Sequence, residues 1–356
     1  MLKNAKKRVI VAMSGGVDSS VAAALLQKQG YDVMGVFFHF WKESGQDKSR
    51  ENLCCSLESQ EEARKVAQIL KIPFYTLNVA KEFKKEVVDY FVREYKNGNT
   101  PNPCIVCNKE IKFKILLRKL QELKADYIAS GHYAKIKNVS GEYKLLVAKD
   151  KEKDQSYFLY NLNQKQLAKI LFPVSEMEKS EVRSLAKKMK LPVHSKPESQ
   201  DICFISDGIG NFLKRHIKMK AGNIANEKGN ILGKHHGLPL YTLGQRKGIE
   251  IGGKGPFFVV GKNARKNQLI VSNDQEALFS HSAMVKKANW LSVAPKLPLR
   301  ALVRTRYRNP LVYAIIKSKG KNLELKFEKS QRAVTSGQSV VFYAKNGEVL
   351  GGGVII

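Results

Sequence analysis

The chain has 356 residues, 43% of them apolar, enough to build full hydrophobic cores in two or three domains. Lys and Arg number 62 against 32 Asp and Glu, a net +30, which favours a polyanionic partner because basic side chains that neutralise phosphates release counterions. No run reaches the roughly 18 to 20 apolar residues of a membrane helix, and an odd count of five cysteines argues against a disulfide scaffold.

The basic and then apolar N-terminus runs directly into a glycine loop and reads as a first strand, RVIVAM, not a signal peptide, so a cytoplasmic protein is expected. A helix is predicted from Val21 to Gln29, stopping at Gly30, then an apolar run from Val33 to Phe38. Ser59 and Glu62 have the spacing of a capping box, predicting a helix that ends near Leu70. A third run, Phe74 to Leu77, follows Pro73. Phe83, Val87, Phe91 and Tyr95 then share one helical face, and a further helix from about Lys109 to Leu123 leads to a strand at Tyr127 to Ala129. Strands alternating with helices imply a parallel sheet with helices on both faces. Ligands of such sheets bind beyond the carboxyl ends of the strands. We expect this catalytic domain to span residues 1–206. Residues 207–278 are glycine-rich with short apolar runs and read as a small central domain. From 279 to 356 the pattern is all-β: Leu323, Leu325 and Phe327 alternate with charged residues, and Asn346-Gly347 marks a hairpin, predicting a small barrel or sandwich.

The first strand ends in SGGVDSS, Ser14 to Ser20. Gly15 and Gly16 allow backbone to approach a phosphate, Ser14, Ser19 and Ser20 offer hydroxyls, and the N–H groups opening the next helix point at an anion. No lysine completes a Walker loop. Asp18 is a candidate ligand for Mg²⁺ carried with the phosphates. The loop resembles the pyrophosphatase loop of the N-type ATP pyrophosphatases, which use ATP to adenylate an oxygen and release pyrophosphate.

Cys104 and Cys107 lie in TPNPCIVCNKEIKF and Cys203 in SQDICFIS. Pro101 and Pro103 predict a rigid loop, with Asn108 capping a helix that starts at Lys109, so that Cys107 would sit at a helix N-terminus where the thiolate is favoured. Half a zinc site, a redox pair and inert thiols are the other readings of a C-x-x-C, and nothing in the chain completes a zinc set. Cys54 and Cys55 are adjacent and read as bystanders.

With these segments the chain resembles the bacterial tRNA-specific 2-thiouridylase family along essentially its whole length. SGGVDSS, PNPCIVCNKEIKF, SGHYA, KDQSYFL, SQDICFI, LGQRKG, VRTRYR and GQSVVFY occur in the family's order. The resemblance implies ATP-dependent 2-thiolation of the wobble uridine of the tRNAs for Lys, Glu and Gln. Adenylation makes the uracil oxygen a leaving group, and sulfur then attacks the base carbon. It implies that Cys203 carries a persulfide received from a cysteine desulfurase or sulfur-relay protein. Cys107 is then the second catalytic thiol, and the turnover ends in a Cys107–Cys203 disulfide. ATP would be bound by Ala12, Met13, Ser14, Gly15, Gly16, Val17, Asp18, Ser19, Phe38 and Gly131. The flipped target base would be lined by Asn102, Pro103 and Cys104, and tRNA contacted by Lys153, Asp154, Gln155, Arg306 and Tyr307. His132 is read as a packing residue. Many family members carry aspartate where this chain has Cys104, and the resulting set of Cys104, Cys107 and Cys203 opens a second route, through an Fe–S cluster. Competing readings are a small-molecule-adenylating ATP pyrophosphatase, which needs neither +30 nor paired cysteines, and a non-catalytic RNA-binding or sulfur-carrier protein, which needs no SGGVDSS loop.

Overall fold

The computed structural model describes residues 6–43, 56–197, 202–252 and 255–356. Cys54 and Cys55 lie outside them, as do residues 199–201 of the SQDICFI motif.

The first unit runs β1 (Arg8–Ala12), α1 (Val17–Lys28), β2 (Asp32–His39), α2 (Leu57–Ile69), β3 (Phe74–Asn78), α3 (Ala80–Phe83), α4 (Asp89–Lys96), α5 (Pro103–Val106), α6 (Lys114–Glu122) and β4 (Tyr127–Ser130). A hairpin, β5 (Ala134–Val139) and β6 (Glu142–Val147), then α7 (Gln164–Leu167), β7 (Ile170–Leu171) and α8 (Lys179–Lys188) complete it. Five strands form one parallel sheet in the order β3-β2-β1-β4-β7. The twofold alternation of strand side chains sends Val9 and Val11 to one core with α1, α2 and α8, and Ile10 to a second core with the helices of residues 80–122. Helices therefore cover both faces, as the apolar periodicity predicts. Because β1 sits between β2 and β4, the loops after β1 and β4 open side by side at the topological switch point of the sheet.

Three local expectations are corrected. Helix α1 begins at Val17, four residues before the predicted start, because the loop's own Gly16 serves as its N-cap. Helix α2 is capped by Ser56, whose hydroxyl accepts from the Ser59 N–H, and not by Ser59. The NPCIVC segment is helix, not loop. Pro103 occupies the first helical position, where its fixed φ and missing N–H cost nothing, and Asn102 accepts from the N–H groups of Cys104 and Ile105. The helix continues through a π-helical turn, Cys107–Phe113, into α6. A second π-helical turn, Lys84–Val88, joins α3 to α4 and keeps Phe83, Val87, Phe91 and Tyr95 buried.

The middle unit has α9 (Ile209–His216) and β8 (Gly222–Asn226), β9 (Ile231–His235), β10 (Phe258–Asn263) and β11 (Gln268–Ser272), in the order β10-β11-β8-β9. The last unit is a closed six-stranded barrel of β12 (Phe279–Trp290), β13 (Leu299–Arg304), β14 (Val312–Lys319), β15 (Asn322–Arg332), β16 (Ser339–Tyr343) and β17 (Val349–Ile355). Closure leaves no open sheet edge. Leu323, Leu325 and Phe327 point into its core, and Asn346-Gly347 lies in the β16–β17 turn with Gly347 at φ +84°. The barrel is tied to the first unit by hydrogen bonds: Tyr157, buried, donates from Oη to the Ser339 carbonyl at 2.7 Å, and Asn289, half-buried, donates from Nδ2 to the Tyr160 carbonyl at 2.7 Å. No helix among the described residues is long and apolar enough to cross a membrane.

Candidate active site

The nucleotide loop is shaped by hydrogen bonds inside it. The Gly16 carbonyl accepts from the hydroxyls of Ser19 and Ser20, and the Ser14 N–H donates to the Ser19 hydroxyl. Ser20 is fully buried, so its hydroxyl serves the loop and not a phosphate, which corrects the expectation placed on it. Ser14 is exposed at the rim and open to a ligand. Gly15 has φ +71°, and a Cβ there would stand 2.2 Å from the Ser59 carbonyl oxygen, so the first glycine is required by α2 as much as by any phosphate. At Gly131 a Cβ would meet the Ser19 nitrogen at 2.5 Å, which explains how the loop after β4 closes directly on SGGVDSS.

Beyond the carboxyl ends of β1 and β4 lies a cavity of about 490 Å³. Ser14, Gly15, Gly16, Val17 and Asp18 line it, and so do Cys107 and Cys203. An adjoining cavity of about 200 Å³ is lined by Ala12, Met13, Ser19, Phe38 and Gly131, and shares Ser14 and Asp18 with the first. Every residue expected to bind ATP thus lines one of two adjoining cavities, the smaller of which combines apolar Met13, Phe37, Phe38 and Phe40 with polar Lys112, Ser130 and Gln155.

The thiols reach the larger cavity from different elements. Cys107 is buried in the second turn of the helix that starts at Pro103, with its N–H bonded to the carbonyls of Pro103 and Cys104. It is not at a helix N-terminus, and the dipole argument passes to Cys104, which is exposed in the first turn. Cys203 is half-buried, and the next residue, Phe204, is buried among Phe83, Phe91 and Phe212. Cys104 lines the same cavity, yet the described residues contain no group of three or more His, Cys, Asp or Glu that could hold a metal ion. The described arrangement does not fit a three-cysteine cluster.

Other expected contacts separate. Pro103 lines the cavity, whereas Asn102 is spent on capping. Lys153, Gln155 and Tyr307 line it; Arg306 is exposed outside it, and its neighbour Arg308 takes the rim position. Tyr307 packs on Phe158 with ring centroids 4.5 Å apart, bringing the barrel to the cavity mouth. Asp154 is corrected: it is buried, and its carboxylate accepts from the Ala148 N–H at 3.0 Å and the Ser156 hydroxyl at 2.8 Å, so it shapes the KDQ turn and cannot face RNA. Burial pushes its pKa up against those hydrogen bonds. His132 lies between Phe113 and Phe172 and exchanges a 2.7 Å hydrogen bond with Ser130. Burial, with the Lys112 ammonium nearby, holds its pKa down at about 3, so the ring is neutral at physiological pH.

Three lysines, Lys112, Lys179 and Lys196, are what sequence reading missed, whereas Lys153 is an expected tRNA contact. Lys112, Lys153, Lys179 and Lys196 all line the larger cavity. They come from four segments and meet only in the fold, where Lys179 pairs with Asp18 and Lys196 with Glu62. Lys179 Nζ lies 2.7 Å from each carboxylate oxygen of Asp18, and Tyr133 donates to the same carboxylate at 2.8 Å. Mg²⁺ is compatible with Asp18 as a single carboxylate ligand completed by phosphate oxygens and water.

Comparison with known proteins agrees along the chain. Residues 7–207 match the model of a tRNA methyl transferase HUP domain, 210–273 that of a tRNA methyl transferase PRC-barrel domain and 280–355 that of an aminomethyltransferase beta-barrel domain. The chain is 48% identical to a tRNA-specific 2-thiouridylase MnmA of Halothermothrix orenii and 46% identical to one of Clostridium perfringens, in both cases over 98% of each chain. It is 45% identical to that of Clostridioides difficile, again over 98% of each.

Proposed function

The chain belongs to the tRNA-specific 2-thiouridylase family, and from that premise we propose how its cavity performs ATP-dependent thiolation of tRNA. The observation that carries the reading is that one cavity is lined by the SGGVDSS loop and by both Cys107 and Cys203. Methyl transfer, which the family models' description names, needs neither a pyrophosphatase loop nor paired thiols.

The target is the wobble uridine of the tRNAs for Lys, Glu and Gln. The base is flipped towards Pro103 and Cys104, since its O2 must reach the α-phosphate. O2 forms a bond to that phosphorus while the bond to the β-phosphate oxygen breaks, and the electron pair leaves with pyrophosphate. Ser14 and the N–H groups opening α1 orient the phosphates. Asp18 would hold Mg²⁺, which when bound neutralises phosphate charge.

Cys203 receives its outer sulfur from a cysteine desulfurase or sulfur-relay protein. Cys107 attacks the Cys203 Sγ, forming the Cys107–Cys203 disulfide and expelling the outer sulfur. That sulfur bonds to C2 either before this attack, as the persulfide, or after it, as hydrosulfide; AMP leaves with the former O2. A thiol reductant resets the disulfide. The burial of Cys107 favours protected intramolecular chemistry, and the partial exposure of Cys203 favours loading by a second protein. The tRNA body lies along the barrel through Arg306, Tyr307 and Arg308, with Lys153 at the cavity. We assign these tasks to units 1–206, 207–278 and 279–356, and the reaction to the cytoplasm.

The test is nucleoside mass analysis of tRNA incubated with ATP, Mg²⁺ and a persulfide source, with pyrophosphate measured in parallel. Cys203→Ser is expected to release pyrophosphate in a tRNA-dependent manner without making thiouridine, and Asp18→Ala to do neither. Thiouridine formed by Cys203→Ser would refute the carrier assignment.

A further inference from the structure

SGGVDSS contains no lysine, although the departure of pyrophosphate places negative charge on the oxygen that leaves. The fold brings one from 161 residues away. Lys179 is the first residue of α8, whose N-terminus is fixed twice: Glu178 and Glu181 form a reciprocal cap, and the Lys179 N–H donates to Asp150 at 3.0 Å. Helices α1 and α8 pack side by side in one core, so the first turn of each faces the same cavity. The Lys179 ammonium, its side chain only 12% exposed, bridges both oxygens of Asp18 and lies 5.7 Å from the centroid of the Tyr133 ring. This geometry has a consequence for Asp18. A divalent cation that takes that carboxylate competes with the ammonium for it, and an ammonium released from Asp18 stays, on its fixed helix end, in the cavity that the SGGVDSS loop lines.

We propose that Lys179 is the phosphate-binding lysine of this site, exchanging between Asp18 and the pyrophosphate end of ATP. It neutralises Asp18 until a divalent cation takes the carboxylate. It then donates a hydrogen bond to the β-phosphate oxygen that receives the electron pair when the bond to the α-phosphorus breaks. No proton is transferred. The role rests on the adenylation reading above, but binding of the leaving group is measurable without it.

The probe is inorganic pyrophosphate with Mg²⁺, titrated calorimetrically into the full chain. Lys179→Met is expected to weaken its binding by about tenfold or more, the worth of one charge-assisted hydrogen bond, and to slow tRNA-dependent pyrophosphate release at saturating ATP. Lys179→Arg should recover part of both. Because Lys179→Met takes the bridging ammonium from Asp18, it will also lower the melting temperature, so binding is titrated well below that temperature and Asp18, itself the candidate Mg²⁺ ligand, is left unchanged. Wild-type affinity in folded Lys179→Met, or affinity in Lys179→Arg no better than in Lys179→Met, would reduce Lys179 to a structural partner and overturn the proposal. Should the wild-type chain release no pyrophosphate from ATP and tRNA while Lys179→Met still binds pyrophosphate weakly, the adenylation reading fails and the lysine assignment stands.

Discussion

Phe204, the residue after Cys203, stands edge-on to Phe91, with ring centroids 5.4 Å apart and planes at 90°. This contact anchors one side of a half-buried thiol to the helix formed by residues 80–96, whose other aromatic and aliphatic side chains fill the same core. Under the proposed sulfur relay Cys203 must meet both a donor protein and Cys107, and the buried Phe204 ring is what would hold it in position for that. Phe204→Leu keeps most of the volume and is expected to cost less than about 1.5 kcal/mol. Its tRNA-dependent pyrophosphate release should stay near wild type while thiouridine formation falls severalfold. Equal loss of both would show that the ring supports the whole domain and not the thiol.

Cys104 distinguishes the persulfide route from a cluster. It is exposed while Cys107 is buried three residues later. With sulfur carried by Cys203 and released by Cys107, Cys104→Asp should retain thiolation, and protein purified without oxygen should contain no stoichiometric iron or acid-labile sulfide. Loss of activity in Cys104→Asp together with loss of bound iron would establish the cluster instead.

The barrel is joined to the catalytic unit by a hydrogen bond with both partners buried, Tyr157 Oη to the Ser339 carbonyl. Tyr157→Phe leaves that carbonyl without this donor, at a cost of about 1–3 kcal/mol. Because the barrel carries Arg306 and Tyr307, we expect KM for tRNA to rise and the ATP affinity measured without tRNA to be unchanged. A parallel loss of ATP affinity would place the damage in the catalytic core.

Lys262 on β10 donates to the Gly98 carbonyl at 3.2 Å, and burial pulls its pKa down from 10.5 to about 8. In the unfolded chain the group stays protonated to a higher pH, so between about 8 and 10.5 the unfolded state binds more protons. Stability from this group therefore rises with pH across that window and carries its full penalty below pH 8. Lys262→Met removes the penalty. At pH 7 the variant should be more stable than wild type, by at most about 3 kcal/mol less the lost hydrogen bond, with a higher melting temperature, and the difference should shrink by pH 10. A difference independent of pH would mean that packing, not charge, is responsible.

Much of this was legible in the linear pattern because it is local physics. Period-two strands, helical apolar spacing and the Asn346-Gly347 turn all depend on near neighbours, and the strands and barrel appear where that pattern puts them. The errors are also local in origin. Pro103 reads as a helix breaker until its neighbour Asn102 is seen to cap a helix from which Pro103 withholds no needed N–H. Asp154 reads as a tRNA contact because its KDQ segment resembles the family's, and a motif match does not show that the side chain is buried.

By itself the sequence determined the fold class, the strand-to-helix phosphate loop, the number and type of available thiols and the excess of positive charge, since each follows from residue identity and short-range spacing. Tertiary structure alone decided that Lys179 meets Asp18 across 161 residues, that four scattered lysines share a cavity with Cys104, Cys107 and Cys203, and that Cys107 is buried while Cys104 is exposed. The physical reason is that such contacts arise from the packing of α8 on α1 and from the order of strands in the sheet, which bring together side chains that no periodicity along the chain connects.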